Sequence, residues 1–176
     1  MAEETTTNKK AYLCRRKNRT LAFLDAILKG NGLTYLDLAN MLGISQTAFA
    51  DMMRKDDIKT TYLALISEKL GYSLQFGFIP KGATTYEKKK GYDVGDSPPL
   101  LAKDKTLIPI EMVMRAKSIS VLDLARLLHV DRKRIYYRFS NGMMLTDLME
   151  LVQVLGGSLA IEMKRTDRVP TAWIEI

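Results

Sequence analysis

Clusters of basic side chains are the feature of this sequence that could do chemistry. One lies near the N-terminus, at Lys9, Lys10, Arg15, Arg16, Lys17 and Arg19, and a run of lysines spans 88–90. A third comprises Arg132, Lys133, Arg134 and Arg138, interleaved with Tyr136 and Tyr137. Clustered cations neutralise phosphates, and the chain carries a net charge of +7. The sequence therefore favours a polyanionic partner, although a lysine run such as 88–90 more commonly marks a solvated face.

Catalytic and metal-binding side chains are scarce. The sequence has one cysteine, Cys14, and one histidine, His129. These exclude an internal disulfide and a cysteine-rich zinc cluster, and they leave almost nothing from which to build another metal site. No Walker loop, GxSxG, HExxH or dinucleotide-binding fingerprint is present. We therefore expect no enzyme, no cofactor and no small-molecule substrate.

Composition is typical of a globular protein, with 47% hydrophobic and 27% charged residues. No stretch approaches the length of an uninterrupted apolar membrane span. Residues 1–20 contain Glu3 and Glu4 where a signal peptide would need an apolar core. We expect no membrane partner and a cytoplasmic location, beside the nucleoid or in the cytoplasm of a host cell.

The chain contains an internal repeat. Residues 33–49, LTYLDLANMLGISQTAF, align with residues 119–135, ISVLDLARLLHVDRKRI, at a constant offset of 86 residues. After a one-residue deletion the offset becomes 85, and a second set recurs: Thr61, Leu63, Leu70, Gly71, Ser73 and Leu74 correspond to Thr146, Leu148, Leu155, Gly156, Ser158 and Leu159. Two copies of one module therefore fill most of the sequence.

Each copy has the pattern of four or five short helices followed by a strand. Apolar residues at helical spacing, N-caps such as Thr34 and Ser45, and closing glycines mark the helices. Alternating apolar residues at 74–78 and 159–163 predict a short β-strand or β-ribbon after each helical part. The predicted class is mainly α, with a basic arm (1–19), a first domain (20–78), a linker (79–106) and a second domain (107–176).

Two helices that cross at a steep angle are predicted in each copy. In the first, Ala39 supplies a small residue at the closest approach, and Gly43 supplies a turn residue that tolerates positive φ. In the second, Ala125 is kept, whereas His129 takes the glycine position and Arg138 a position that is usually apolar. We expect His129 to adopt a positive φ or another turn conformation, and Arg138 to snorkel rather than pack.

The run LDLANMLGISQTAFADMMR, at 36–54, resembles the phage repressor and Cro-like helix-turn-helix family. The shared features are the spacing of small residue, glycine, apolar residue, polar cap and apolar residue. The resemblance covers most of each helical part and implies two tandem lambda repressor-like DNA-binding domains, each with a helix before the motif and one or two after it.

The resemblance also implies the residues that would contact DNA. In the first copy these are Ser45, Gln46, Thr47, Ala50, Asp51 and Arg54. In the second copy they are Asp131, Arg132, Lys133, Arg134, Tyr136, Tyr137 and Arg138. Gln suits adenine, Arg and Lys suit guanine, and Tyr donates to phosphates. The arm residues Lys9 to Arg19 would contact the DNA backbone.

Two functions remain as hypotheses. The resemblance implies a sequence-specific regulator of transcription that binds double-stranded DNA, repressor-like and of phage or mobile-element origin. The other hypothesis is a protein-interaction module, such as a viral structural or inhibitory protein, that keeps the helical scaffold without reading DNA. The apolar tails are expected to pair with each other or, through a C-terminal strand at 171–176, with a second chain in a homodimer.

Overall fold

The structure is a computed structural model that describes residues 20–82, 101–166 and 174–175. The arm at 1–19 and the lysine run at 88–90 lie outside the described residues. The described chain is mainly helical with one small antiparallel sheet, as the sequence predicts. It divides into two compact units between Asp57 and Ile58, a position inside the predicted first domain.

Between residues 20 and 57, the described part of the first unit, lie three helices, α1 (Ala22–Gly30), α2 (Tyr35–Leu42) and α3 (Gln46–Lys55). Leu24, Leu38 and Phe49 are fully buried and form its core. Asp56, directly after α3, accepts hydrogen bonds from the backbone N–H groups of Thr20 at 2.7 Å and Leu21 at 3.0 Å. Since these N–H groups precede α1, the carboxylate of Asp56 ties the end of α3 to the start of α1.

The second unit contains five helices, a 3₁₀ turn and three strands among its described residues. In chain order they are α4 (Thr60–Lys69), β1 (Tyr72–Pro80), the 3₁₀ turn (Lys105–Leu107), α5 (Ile108–Ala116), α6 (Val121–Leu127), α7 (Arg132–Asn141), α8 (Leu145–Val154), β2 (Gly157–Arg165) and β3 (Ile174–Glu175). Helix α4 packs on β1, and α8 packs on β2. Each repeat thus places its last helix against its own strand.

Equivalent helices of the two repeats begin with the same capping arrangement. The hydroxyl of Thr34 accepts from the N–H of Asp37, and the Asp37 carboxylate accepts from the N–H of Thr34. Ser120 and Asp123 form the same reciprocal pair at the start of α6. Both side chains satisfy N–H groups that a helix start leaves without partners, so the predicted N-cap at Thr34 is confirmed.

The turns also repeat residue by residue. Gly43, after α2, has a φ of 66°, and His129, at the equivalent place after α6, has a φ of 51°. The prediction that His129 adopts a positive φ is therefore confirmed. His129 adopts a left-handed backbone conformation that costs glycine no steric strain. The repeat therefore preserves the conformation of the turn and not the residue type.

Strands β1 and β2 pair in a register that is symmetric with respect to the repeat. Phe76 lies opposite Ile161, which is its own equivalent at the offset of 85 residues. The two ends correspond as well, because Tyr72 lies opposite Arg165 and Pro80 opposite Gly157. A pseudo-twofold axis therefore passes through the Phe76–Ile161 pair. Of the two predicted pairings of the tails, with each other or with a second chain, the structure shows the first.

The same axis relates the starts of α4 and α8. The N–H of Thr60 donates to the carbonyl of Met143 at 2.8 Å, and the N–H of Leu145 donates to the carbonyl of Ile58 at 2.9 Å. Thr60 and Leu145 are equivalent positions, as are Ile58 and Met143. The two N–H groups, which a helix start would otherwise leave unpaired, are thus satisfied by the other repeat.

A buried ion pair joins α7 to α8. Nη2 of Arg138 donates to Oδ1 of Asp147 at 2.6 Å, with the arginine side chain 7% exposed and the aspartate side chain 26% exposed. Nη1 of Arg138 has no hydrogen-bond partner among the described residues. The expectation that Arg138 snorkels to water is therefore wrong, because the carboxylate of Asp147 holds the guanidinium inside.

The ion pair predicts that removing Asp147 costs more stability than removing Arg138. Asp147→Ala should lower the free energy of unfolding by about 3 kcal/mol, because it leaves a buried guanidinium without a counter-charge. Arg138→Met, which restores the residue type of the equivalent position Met52, should cost less because Asp147 is partly hydrated. The double variant should be more stable than Asp147→Ala alone in urea unfolding. Additive losses would contradict the buried pair.

The capping boxes predict a pH dependence. Hydrogen bonds from the side chain and backbone of Thr34 hold the pKa of Asp37 below its ordinary value, and those from Ser120 do the same to the pKa of Asp123. A carboxyl whose pKa is lowered by folding contributes stability above its unfolded pKa, about 3.9, and loses it as the pH falls through the lowered value.

The expected result is that the Asp37→Asn/Asp123→Asn variant loses less stability than the parent when the pH falls from 6 to 3. Urea unfolding at several pH values measures this difference. The exposed carboxylates Glu68 and Glu150 make neither contact, so Glu68→Gln/Glu150→Gln is the matched control. Parallel profiles for the parent and the capping variant would contradict the prediction.

Candidate nucleic-acid interface

Helix pairs α2–α3 and α6–α7 have the same connection. The N–H of Ile44 donates to the carbonyl of Ala39 at 3.0 Å, and the N–H of Val130 donates to the carbonyl of Ala125 at 2.9 Å. Both alanines are buried. A methyl side chain at this place leaves room for the following helix, so the second helix of each pair is held at a defined angle to the first.

The second helix of each pair buries one face and exposes the other. Phe49 and Met53 of α3 are buried, as are their equivalents Ile135 and Phe139 of α7. The first turn of each helix is exposed. Each pair therefore presents the start of its second helix to an external partner.

The exposed first turn of α3 carries no charged side chain. The hydroxyl of Ser45 accepts from the N–H of Ala48 at 3.1 Å, which confirms the predicted N-cap. Gln46 and Thr47 are exposed, while Ala50 is half-buried. Asp51 and Arg54 form an exposed ion pair at 3.1 Å. Hydrogen-bonding amide and hydroxyl groups thus dominate this face.

On α7 the exposed face is strongly basic. Arg132, Lys133 and Arg134 are all exposed in its first turn. Tyr136 and Tyr137 follow one turn later and are 43% and 62% exposed. The carboxylate of Asp131 accepts from the N–H of Lys133 at 2.6 Å and so caps the helix. This face combines cations with phenolic hydroxyl donors.

The two faces differ most at equivalent positions. Arg132, Lys133 and Arg134 correspond to Gln46, Thr47 and Ala48 at the offset of 86 residues. The structure therefore places three positive charges on one helix start and none at the same positions of the other. The two helix pairs thus share the hydrogen bond that closes their turn, and they differ in the charge at the start of the second helix.

Not every predicted contact residue lies on an exposed face. Arg138 points inward to Asp147, so the structure separates it from Arg132, Lys133 and Arg134. The arm residues Lys9, Lys10, Arg15, Arg16, Lys17 and Arg19 lie outside the described residues.

Arg126, in the last turn of α6, is a further exposed cation that neither the basic clusters nor the resemblance singled out. Its side chain is 71% exposed, and its guanidinium lies 3.7 Å from the carboxylate of Asp123. Its position next to Ala125, the small residue of the helix pair, could have drawn attention to it.

In residues 20–82, 101–166 and 174–175 no group of three or more His, Cys, Asp or Glu side chains is arranged to hold a metal ion. Over the same ranges no helix has both the length and the apolar character of a membrane span.

The comparisons with known proteins found no match. No family model, no curated protein and no solved structure matches this chain.

Proposed function

We propose that this protein is a sequence-specific DNA-binding regulator of transcription with two helix-turn-helix motifs, α2–α3 and α6–α7. The observation that carries the proposal is the exposed first turn of α7, where three consecutive cations stand on a helix whose opposite face is buried. A helix anchored by one face and basic on the other fits the major groove of double-stranded DNA.

The side chains of α7 divide into two chemical tasks. Arginine and lysine at a helix start donate bidentately to O6 and N7 of guanine, and they also neutralise phosphates. Exposed tyrosines donate hydroxyl hydrogen bonds to phosphate oxygens. Arg132 is proposed to read a base, whereas Tyr136 and Tyr137 fix the register on the backbone.

Helix α3 is proposed to read a different sequence with less electrostatic affinity. Gln46 pairs bidentately with adenine, and Thr47 donates to a base edge or to phosphate. The Asp51–Arg54 ion pair adds no net positive charge to this face. The resemblance to Cro-like repressors supports a role in repression.

A second candidate function, protein binding, is favoured by exposed leucines on the first helix of each pair. Leu36 is 47% exposed and its equivalent Leu122 is 45% exposed, with Leu127 also exposed on α6. Repeated exposed apolar residues are typical of surfaces that contact another protein. The two functions differ in salt dependence, because only phosphate contacts release counterions from DNA.

Selection of bound fragments from random duplex DNA, followed by a salt titration of the selected duplex, tests the proposal. We expect one enriched sequence, and affinity that falls linearly with the logarithm of the salt concentration. Recovery of random sequences, or an affinity that does not change with salt, would contradict sequence-specific DNA binding and favour the protein-interaction function.

Arg132 gives the sharpest single-residue prediction. Arg132→Ala should weaken binding to the selected duplex by about tenfold to a hundredfold and relax the preference at one base pair, while non-specific binding changes little. Lys69→Ala removes one charge from an exposed position on α4 and should leave specific binding unchanged. Titration of both variants against the selected duplex and its single-base variants measures this. An equal loss on every sequence would make Arg132 a phosphate contact.

A further inference from the structure

The strand pairing has the geometry of a homodimer interface built inside one chain. In a twofold symmetric dimer, a strand that pairs with its own copy has one residue opposite itself at the axis. Here Phe76 stands opposite its repeat equivalent Ile161, and both are buried. The place that a second chain would take on β1 is thus filled by β2 of the same chain.

Hydrogen bonds around the axis are satisfied in the same reciprocal way. Thr60 donates to Met143, and the equivalent Leu145 donates to the equivalent Ile58. The other edge of β2 is paired as well, since Ala160 and Ile161 lie opposite Glu175 and Ile174 of β3. Strand β3 is thus paired within the chain along the edge that faces β2.

The start of α4 and the end of α7 approach closely at Gly142. A Cβ at Gly142, whose φ is 77°, would lie 2.5 Å from Cγ2 of Thr61 and 2.9 Å from Oγ1 of Thr60. Glycine at the end of α7 therefore permits the start of α4 to pack against it. The two repeats therefore contact each other at α4 and α7, in addition to being similar in sequence.

We infer that a single chain, without a second copy, is the DNA-binding unit and that its target is a duplex site without twofold symmetry. A homodimer of a single repeat presents two identical reading helices and selects a palindrome. This chain contains each helix pair once, and α3 and α7 differ by three positive charges at equivalent positions. The inference about the target depends on the proposed function, whereas the intrachain pairing does not.

The pairing is tested in the full-length chain with an engineered disulfide. Ser73 lies opposite Lys164, and opposed residues of antiparallel strands have a Cα separation that a disulfide spans. In a Cys14→Ser background, Ser73→Cys/Lys164→Cys should oxidise to a cross-link within one chain. Non-reducing electrophoresis should then show only the 19.9 kDa species, and sedimentation should give the same mass.

The matched control is Lys81→Cys/Lys164→Cys in the same background. Lys81 follows the far end of β1, eight residues or about 26 Å from Ser73 along an extended strand, so it cannot reach Lys164 within the chain. A species of twice the chain mass from the Ser73→Cys/Lys164→Cys protein would show exchange of strands between chains. That result would overturn the inference.

The duplex selected from random sequence tests the target. We expect one chain bound per duplex, as measured by native mass spectrometry, and a selected sequence that is not its own inverted complement. Two chains on a palindromic sequence would overturn the inference and leave the proposed function standing. Failure to select any sequence would instead remove the proposed function, whatever mass the chain has.

Discussion

The pairing of β1 with β2 is the constraint on which the second unit depends. It buries Phe76 against Ile161 at a pseudo-twofold axis, and helices α4 and α8 each pack on one of the two strands. A lone two-stranded ribbon is marginal in water, so these strands need the helices to cover their apolar face, as the helices need the strands. The paired strands and the helices packed on them therefore depend on each other for stability.

Duplication gives this structure two helix pairs with one geometry and different surfaces. Positive φ values at Gly43 and His129 and capping boxes at Thr34 and Ser120 recur in both pairs. Backbone hydrogen bonds and buried side chains impose those features, while exposed side chains at a helix start have no packing role. The surface was therefore free to diverge, and the first helical turn is cationic on α7 and uncharged on α3.

Arg138 shows how an exception to the repeat is accommodated. Its equivalent, Met52, is apolar, and a guanidinium at such a position is stable only with a carboxylate close by. Asp147 supplies that carboxylate from α8. The sequence suggested that Arg138 contacts DNA, whereas in the structure its ion pair with Asp147 joins α7 to α8.

The sequence by itself determined the repeat, the mainly helical class, the N-caps at Thr34 and Ser45 and the turn at His129, because capping and turn chemistry act over a few residues. It also indicated which residues of α3 and α7 lie at the exposed helix starts. Only the tertiary structure decided that the apolar tails pair with each other, that the compact units divide at Asp57 and Ile58, and that Arg138 is internal. Those features depend on contacts between residues far apart in the chain, such as Phe76 with Ile161, and apolar spacing shows only that a strand face must be covered, not what covers it.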